Sequence, residues 1–313
     1  MKKLYLVCVI MLILGAALMF CGFITGAHTG VYFDLGGLHL GEKENYISAD
    51  TFDSITAIEV DMASADIKIV PAAGYGIEID NRQNRSIDYK VTAGRLTVTQ
   101  ERGFAYLPFS WSFRSPVVTI YLPAGAQLET VLLKTTSGNI TVNNFDCVSL
   151  EMTATSGNLR AGQVNALDAA SFKATSGNIN LDKLSAQEIF VKVTSGNLTF
   201  DRLTGQALTA AATSGNIKGE QVEIARETDL KVTSGGVRMN GALTGRINVT
   251  SKSGNVRLNL TGNENDYSKH ISTKFGGIYV NGRRDEVVYS NPTAPNSIDV
   301  SVTSGSVHLN FDN

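Results

Sequence analysis

Apolar and polar residues alternate in short bursts along most of this chain, and each burst restarts after a Thr-Ser-Gly-Asn-like tetrapeptide. The marker glycines are Gly138, Gly157, Gly177, Gly196, Gly215, Gly235 and Gly254, spaced 19 or 20 residues apart, with looser echoes at Gly276 and Gly305. Two residues past each marker stand Ile140, Leu159, Ile179, Leu198, Ile217, Val237 and Val256. Four past stand Val142, Ala161, Leu181, Phe200, Gly219, Met239 and Leu258, with mostly polar residues between. That is the period of a short strand with one buried face. A second strand precedes each turn, as in Ile189 to Val193 and Leu208 to Ala212. No apolar stripe at helical spacing follows residue 50, so helices should be scarce. The pattern predicts an all-β chain, a single-stranded β-solenoid (β-helix-like) of 19 or 20 residues per coil.

Glycine supplies the positive φ of a tight corner, and asparagine tolerates that region better than most residues. Stacking turns a corner into a ladder. With coils about 4.8 Å apart, Asn139, Asn158, Asn178, Asn197 and Asn216 are placed to pass amide hydrogen bonds between coils. Thr136, Thr155, Thr175, Thr194, Thr213 and Thr233 are placed for a parallel hydroxyl ladder. A group repeated on every coil holds coils together, which makes the repeated Ser and Asn poor catalytic candidates. A single coil buries almost nothing, so stability should accumulate as a sum over neighbouring interfaces.

The chain opens less regularly. Ile58 to Val70 reads as a degenerate coil, with Ser64-Ala65-Asp66 in place of Ser-Gly-Asn, followed by strands at Ile77 to Ile79, Leu96 to Thr99 and Val117 to Leu122. An atypical first portion suits a cap on the core. At the other end Val307 to Phe311 reads as a last strand without a lid, an edge open to pairing. An insertion at Asn263 to Tyr267 reads as a side loop.

Ahead of the repeats, Met1-Lys2-Lys3 precedes an uncharged apolar run from Leu4 to Ile24, and 21 such residues in a helix span about 30 Å of hydrocarbon. The positive-inside rule then puts the amino terminus in the cytoplasm and the rest outside. A cleaved secretory signal is the competing reading, although its apolar core is usually shorter, about 7 to 15 residues. Cys21 lacks the small residues before it that lipoprotein processing needs. The division is thus 1–24 as cytoplasmic tip and transmembrane helix, 25–50 as a glycine-bearing tether, and 51–313 as the solenoid.

With 43% hydrophobic and 18% charged residues among 313, the chain is not of the disordered class. Of 27 basic residues, Lys2 and Lys3 belong to the anchor, leaving 25 against 29 acidic ones. A mildly acidic ectodomain argues against nucleic acid as a partner. Cys147 is the one cysteine past the apolar run, which excludes an intramolecular disulfide there, and its setting between Asp146 and Val148 fits a buried small hydrophobe.

Candidate chemistry is thin. Five residues past the markers, Asp182, Asp201 and Glu220 align on successive coils, a set able to bind a hard cation or, if suitably spaced, to work as acid and base. Lys183 and Arg202 follow two of them and favour a solvated turn ladder instead. His28, His39, His270 and His308 are scattered singly, without metal-ligand spacing. No nucleophile elbow, phosphate loop or dinucleotide fingerprint is present. The expectation is a non-enzyme without cofactor, metal site or small-molecule substrate. The Asn-x-Thr triplets at Asn139, Asn197, Asn248 and Asn259 follow from the alternation. One segment departs from the pattern: residues 104–113 gather Phe104, Tyr106, Phe109, Trp111 and Phe113. Exposed, Tyr106, Phe109, Trp111 and Phe113 form a candidate partner-binding patch; folded back, they cover the solenoid's flank.

The stretch Val117-Val118-Thr119-Ile120-Tyr121-Leu122-Pro123-Ala124-Gly125-Ala126, with Leu128 and then Leu132 to Val142, resembles the bacterial β-strand-repeat family of adhesin-like proteins. That family is a domain of unknown function, with some members in Lia-type cell-envelope-stress operons. The likeness runs from about Ile55 to the end and implies a β-solenoid on a membrane anchor, with no catalytic residue to carry over. Together these readings give a cell-membrane, single-pass protein whose extracytoplasmic solenoid binds or scaffolds a cell-envelope protein or polymer. A regulatory accessory of an envelope-stress or transport system is the alternative, and a carbohydrate-active β-helix enzyme the third.

Overall fold

The computed structural model describes residues 31–34, 37–40, 47–81, 87–100, 115–285, 291 and 293–312. The chain divides into two units, residues 1–46 with 103–114, and residues 47–102 with 115–313. In the first, Val31–Asp34 and Gly37–Leu40 form an antiparallel hairpin within the stretch read as a glycine-bearing tether. The apolar run from Leu4 to Ile24, read as a transmembrane helix, lies outside the described residues. Among those described, no helix is long and apolar enough to cross a membrane.

The second unit is a stack of parallel coils. Hydrogen-bonded strands run almost continuously through each coil, as in Leu159–Ser176, Ile179–Ser195 and Leu198–Ser214. The burial pattern resolves three faces per coil. Along Leu159–Ser176 the inward residues are Leu159 and Ala161, then Val164 and Ala166, then Ala170, Phe172 and Ala174, with outward residues breaking the alternation at each corner. Face B follows the Ser-Gly-Asn corner, face C comes next, and face A leads into the following Ser-Gly-Asn.

Each corner has its own device. At the Ser-Gly-Asn corner the glycines have φ between 140° and 148°, from Gly138 to Gly254. Between faces B and C the turn falls on non-glycine residues in the left-handed region: Asn144, Gln163, Lys183, Arg202 and Gln221, with φ from 51° to 62°. Between faces C and A the register slips at Cys147/Ser149, Ala166/Ala169 and Gly205/Ala207. This corner absorbs the extra residue of a 20-residue coil, as Leu167 and Asp168 do where Gln187 alone stands one coil on, while between Ile217–Ser234 and Val237–Leu243 the slip falls instead at the corner of faces B and C, between Gly219 and Val222.

The core is one continuous apolar column in which large and small residues interdigitate. Phe200 is fully buried directly beneath Gly219, whose Cβ, were there one, would lie 2.7 Å from Met239 Sδ.

Both ends of the stack depart from chain order. At the amino-terminal end Ala57–Ser64 and Asp66–Ala72 make the coil beneath Gln127–Ser137, as the degenerate repeat predicts. The chain then moves outward, laying Arg95–Gln100 and Val117–Pro123 below that coil. Antiparallel strands Tyr75–Asp80, Ile47–Phe52 and Ile87–Thr92 close that edge. At the carboxyl-terminal end, Tyr267–Phe275 and Ile278–Val280 form the outermost coil, and the last strands are slotted beneath it. Asn296–Ser304 pairs with Arg246–Ser253 on one side and Tyr267–Phe275 on the other. Val307–Asp312 lies between Val256–Thr261 and Ile278–Val280. This corrects the expectation of an uncovered final strand. The outer edge belongs to an earlier segment, and antiparallel Arg283–Asp285 covers it along Ile278–Val280. The insertion at Asn263 to Tyr267 is likewise no side loop. A 3-10 turn, Glu264–Asp266, leads into the outermost coil, and Tyr267 is buried with its hydroxyl donating to the Leu243 carbonyl at 2.9 Å.

Candidate binding face

Face B carries the most ordered chemistry, because its outward positions fall one, three and five residues past each marker glycine. The first column is the asparagine ladder. Asp66 Oδ1 accepts from the Asn139 backbone N–H at 2.7 Å and from its Nδ2 at 3.2 Å. Asn139 Oδ1 accepts both donors of Asn158, and the step recurs through Asn178, Asn197 and Asn216. It stops at Gly236, whose N–H still donates to Asn216 Oδ1 at 2.8 Å but which has no amide to pass on. The threonine ladder does not form. Thr136, Thr155, Thr175, Thr194, Thr213 and Thr233 are exposed and make no hydrogen bond to one another, because their backbone bonds already tie the coils and the hydroxyls face water.

The second column reads Lys68, Thr141, Arg160, Asn180, Thr199, Lys218, Arg238, Arg257, His308 and Tyr279 along the stack. A shallow groove of about 480 Å³ runs beside it over the first coils, between Asp66, Asn139, Asn158 and Asn178 on one side and Lys68, Thr141, Arg160 and Asn180 on the other. At the far end the Tyr279 and His308 rings stack with centroids 4.7 Å apart and planes 7° from parallel. Burial, and then the charge of Arg257, lower the His308 pKa below its usual value and hold the ring neutral near pH 7.

The third column contains the expected carboxylates. Asp182, Asp201 and Glu220 stack on successive coils. Arg202 spans the first two, at 3.0 Å from Asp182 and 3.4 Å from Asp201. Glu220 takes Lys218 at 3.5 Å and a hydrogen bond from Asn240 Nδ2. The column continues as a second amide ladder, with Asn310 Nδ2 donating to Asn259 Oδ1 at 2.7 Å. Among the described residues no group of acids, histidines and cysteines is arranged to hold a metal ion.

The other candidates fall elsewhere. Tyr106, Phe109, Trp111 and Phe113 lie outside the described residues. Cys147 is buried at 2% exposure, and burial, with Asp146 beside it, pushes its thiol up to about 12. The second amide ladder and the left-handed corner were missed in the sequence. Their signal was there, in Asn240 and Asn259 aligned with Glu220, and in polar residues at 144, 163, 183, 202 and 221.

A family model described as Toastrack DUF4097 matches residues 55–310. Among solved structures, a "putative adhesin" from Bacteroides fragilis is 13% identical, covering 88% of this chain and 100% of its own, with a TM-score of 0.47. A second "putative adhesin", from Parabacteroides merdae, is 16% identical over 87% of this chain and 98% of its own, with a TM-score of 0.46. A "putative lipid binding protein" from Parabacteroides distasonis is 14% identical over 87% and 98%, with a TM-score of 0.40. None of the curated proteins matches the chain.

Proposed function

The chain belongs to the Toastrack DUF4097 family, and from that footing we propose that it is a membrane-anchored, extracytoplasmic binding or scaffold module of the bacterial cell envelope that catalyses no reaction. The observation that carries this reading is the repetition on face B, where amides recur coil after coil beside a shallow groove and cations stand along the neighbouring column. Repeated, flat, hydrogen-bonding area suits a protein or polymer partner, since a standard interface takes about 800 Å² from each side. A small substrate would call for an enclosed cavity with a few convergent polar groups. The anchor in this reading is the run from Leu4 to Ile24, with Lys2 and Lys3 keeping the amino terminus in the cytoplasm.

The test uses the full chain with a carboxyl-terminal epitope, expressed in a bacterial host. Protease added outside protoplasts should remove the epitope while the chain stays in the membrane fraction. The detergent-solubilised chain should bind isolated cell wall saturably or capture a defined membrane protein. An epitope protected from external protease, or failure to bind either fraction, overturns the reading.

A further inference from the structure

Several surface charges are paired with the opposite sign on a neighbouring coil. Lys134 lies 3.9 Å from Asp61, Lys173 lies 3.2 Å from Glu151, and Arg246 pairs with Glu227. Face B carries two registered runs of like charge: the carboxylates Asp182, Asp201 and Glu220, which Arg202 and Lys218 offset, and a column of cations. Lys218, Arg238 and Arg257 are registered on three successive coils of face B, followed by His308 and Tyr279. Antiparallel pairing puts Arg284 directly opposite Tyr279, so the run continues onto the closing strand.

We propose that Lys218, Arg238, Arg257 and Arg284, with the stacked His308 and Tyr279 between them, form a binding site for a linear anionic polymer carrying phosphodiester or carboxylate charges along an extended backbone. Steps of about 4.8 Å place the first and last cations about 24 Å apart. Like charges directly opposite one another on adjacent strands weaken a sheet, so the fold gains nothing from this arrangement. Among the described residues Arg238, Arg257 and Arg284 have no ion-pair partner. On this face Glu220 is engaged by Lys218 and Asn240.

The surroundings fit the same ligand. The Asn240, Asn259 and Asn310 ladder flanks the cations with neutral amides. The ring pair offers a flat contact for the sugar or polyol units between charges. The column is one side chain wide, which matches a chain and not a bilayer plane.

The proposal rests on the binding role given above, and its test separates the two. The full chain in neutral detergent is titrated with long-chain inorganic polyphosphate, polygalacturonate, neutral dextran and micelles of a short-chain anionic phospholipid. Wild type is compared with a variant carrying K218Q, R238Q, R257Q and R284Q, and with a face-A variant carrying K192Q, K231Q and K252Q. Binding of one or both polyanions, without dextran, should fall by about tenfold or more in the face-B variant at about 50 mM salt, and the dependence of log K on log salt should flatten. The face-A variant should bind as wild type does. Equal loss in both variants, no loss in the first, or preference for the micelles overturns the site. Matching thermal melts show that the face-B variant is folded; if it is not, R238Q and R257Q singly give the same salt readout. A wild-type chain that binds cell wall and a face-B variant that binds it equally well would leave the binding role standing and remove this site. Polyanion binding without any envelope binding would do the reverse.

Discussion

Gly157 packs so closely on Gly138 that a β-carbon on the first would lie 1.8 Å from the carbonyl oxygen of the second. Its φ of 148° adds a backbone conformation that other residues rarely adopt. Neither neighbour is a flexible side chain, so the clash has no cheap relief. Gly157→Ala should destabilise the protein by about 4 kcal/mol or more, while Gly125→Ala, with φ of 76° in open space, should cost about 1 kcal/mol. Thermal melting of the two variants checks the contrast, and equal losses would show that stacking is looser than the backbone contact implies.

The asparagine ladder has a direction that substitution can read. Asn178 donates its backbone and side-chain N–H groups to Asn158 Oδ1, and its own Oδ1 accepts from Asn197, whereas Asp66 at the base has only to accept. Asp66→Asn should therefore be nearly neutral. Asn178→Ala strips the Asn197 N–H of its acceptor and should cost about 1 kcal/mol. Asn178→Asp sets one oxygen against another and should fall between them. Urea unfolding of the three variants gives the order.

Thr228 is fully buried in an otherwise apolar column between Leu208 and Ile247, and its hydroxyl finds no hydrogen-bond partner. Thr228→Val keeps the shape and removes an unsatisfied polar atom, so it should raise stability by about 1 kcal/mol. A lower melting temperature would mean that the hydroxyl is satisfied in solution, for instance by a bound water.

Cys147 sets a pH limit. Its thiol titrates at about 12 in the folded chain against 9.0 for the ordinary group, because burial and then Asp146 oppose the thiolate. Above pH 9 the unfolded state loses this proton first, so stability should decline as pH rises from about 9 to 12 and be unaffected by this group below. Cys147→Ala should remove part of that decline. In the native protein at pH 8 a thiol reagent should label Cys147 only as fast as the fold opens.

Legibility differed from element to element. The inward positions of face B and the close of face A were readable because each is a run of period-2 alternation anchored to a glycine, whereas Ser64-Ala65-Asp66 was readable as a degenerate corner but Asp66 as the ladder's base was not, since 73 residues separate it from Asn139. The Thr136 column was misassigned, since alternation says which side a residue faces and not whether its hydroxyl will bond a neighbour or water. Face C escaped notice because it holds two inward residues per coil, such as Val164 and Ala166, too few for a periodic signal. The cation column from Lys218 to Arg284 depends on His308 and Tyr279 falling between distant segments of chain, and no local pattern announces that.

By itself the sequence determined the repeat length, the strand faces, the glycine corner and its amide ladder, because these are set within one coil and by identical copies meeting in register. The tertiary structure alone decided which coil lies next to which at the two ends. Parallel coils with the same turn can stack in more than one order, and the choice is made by side chains far apart in the chain. Gly276 rests on Gly305 and Gly305 on Gly254, each too close for a β-carbon, and Tyr267 is buried against Leu243. Those contacts slot the final strands inside the stack, and they also bring His308 and Tyr279 between Arg257 and Arg284.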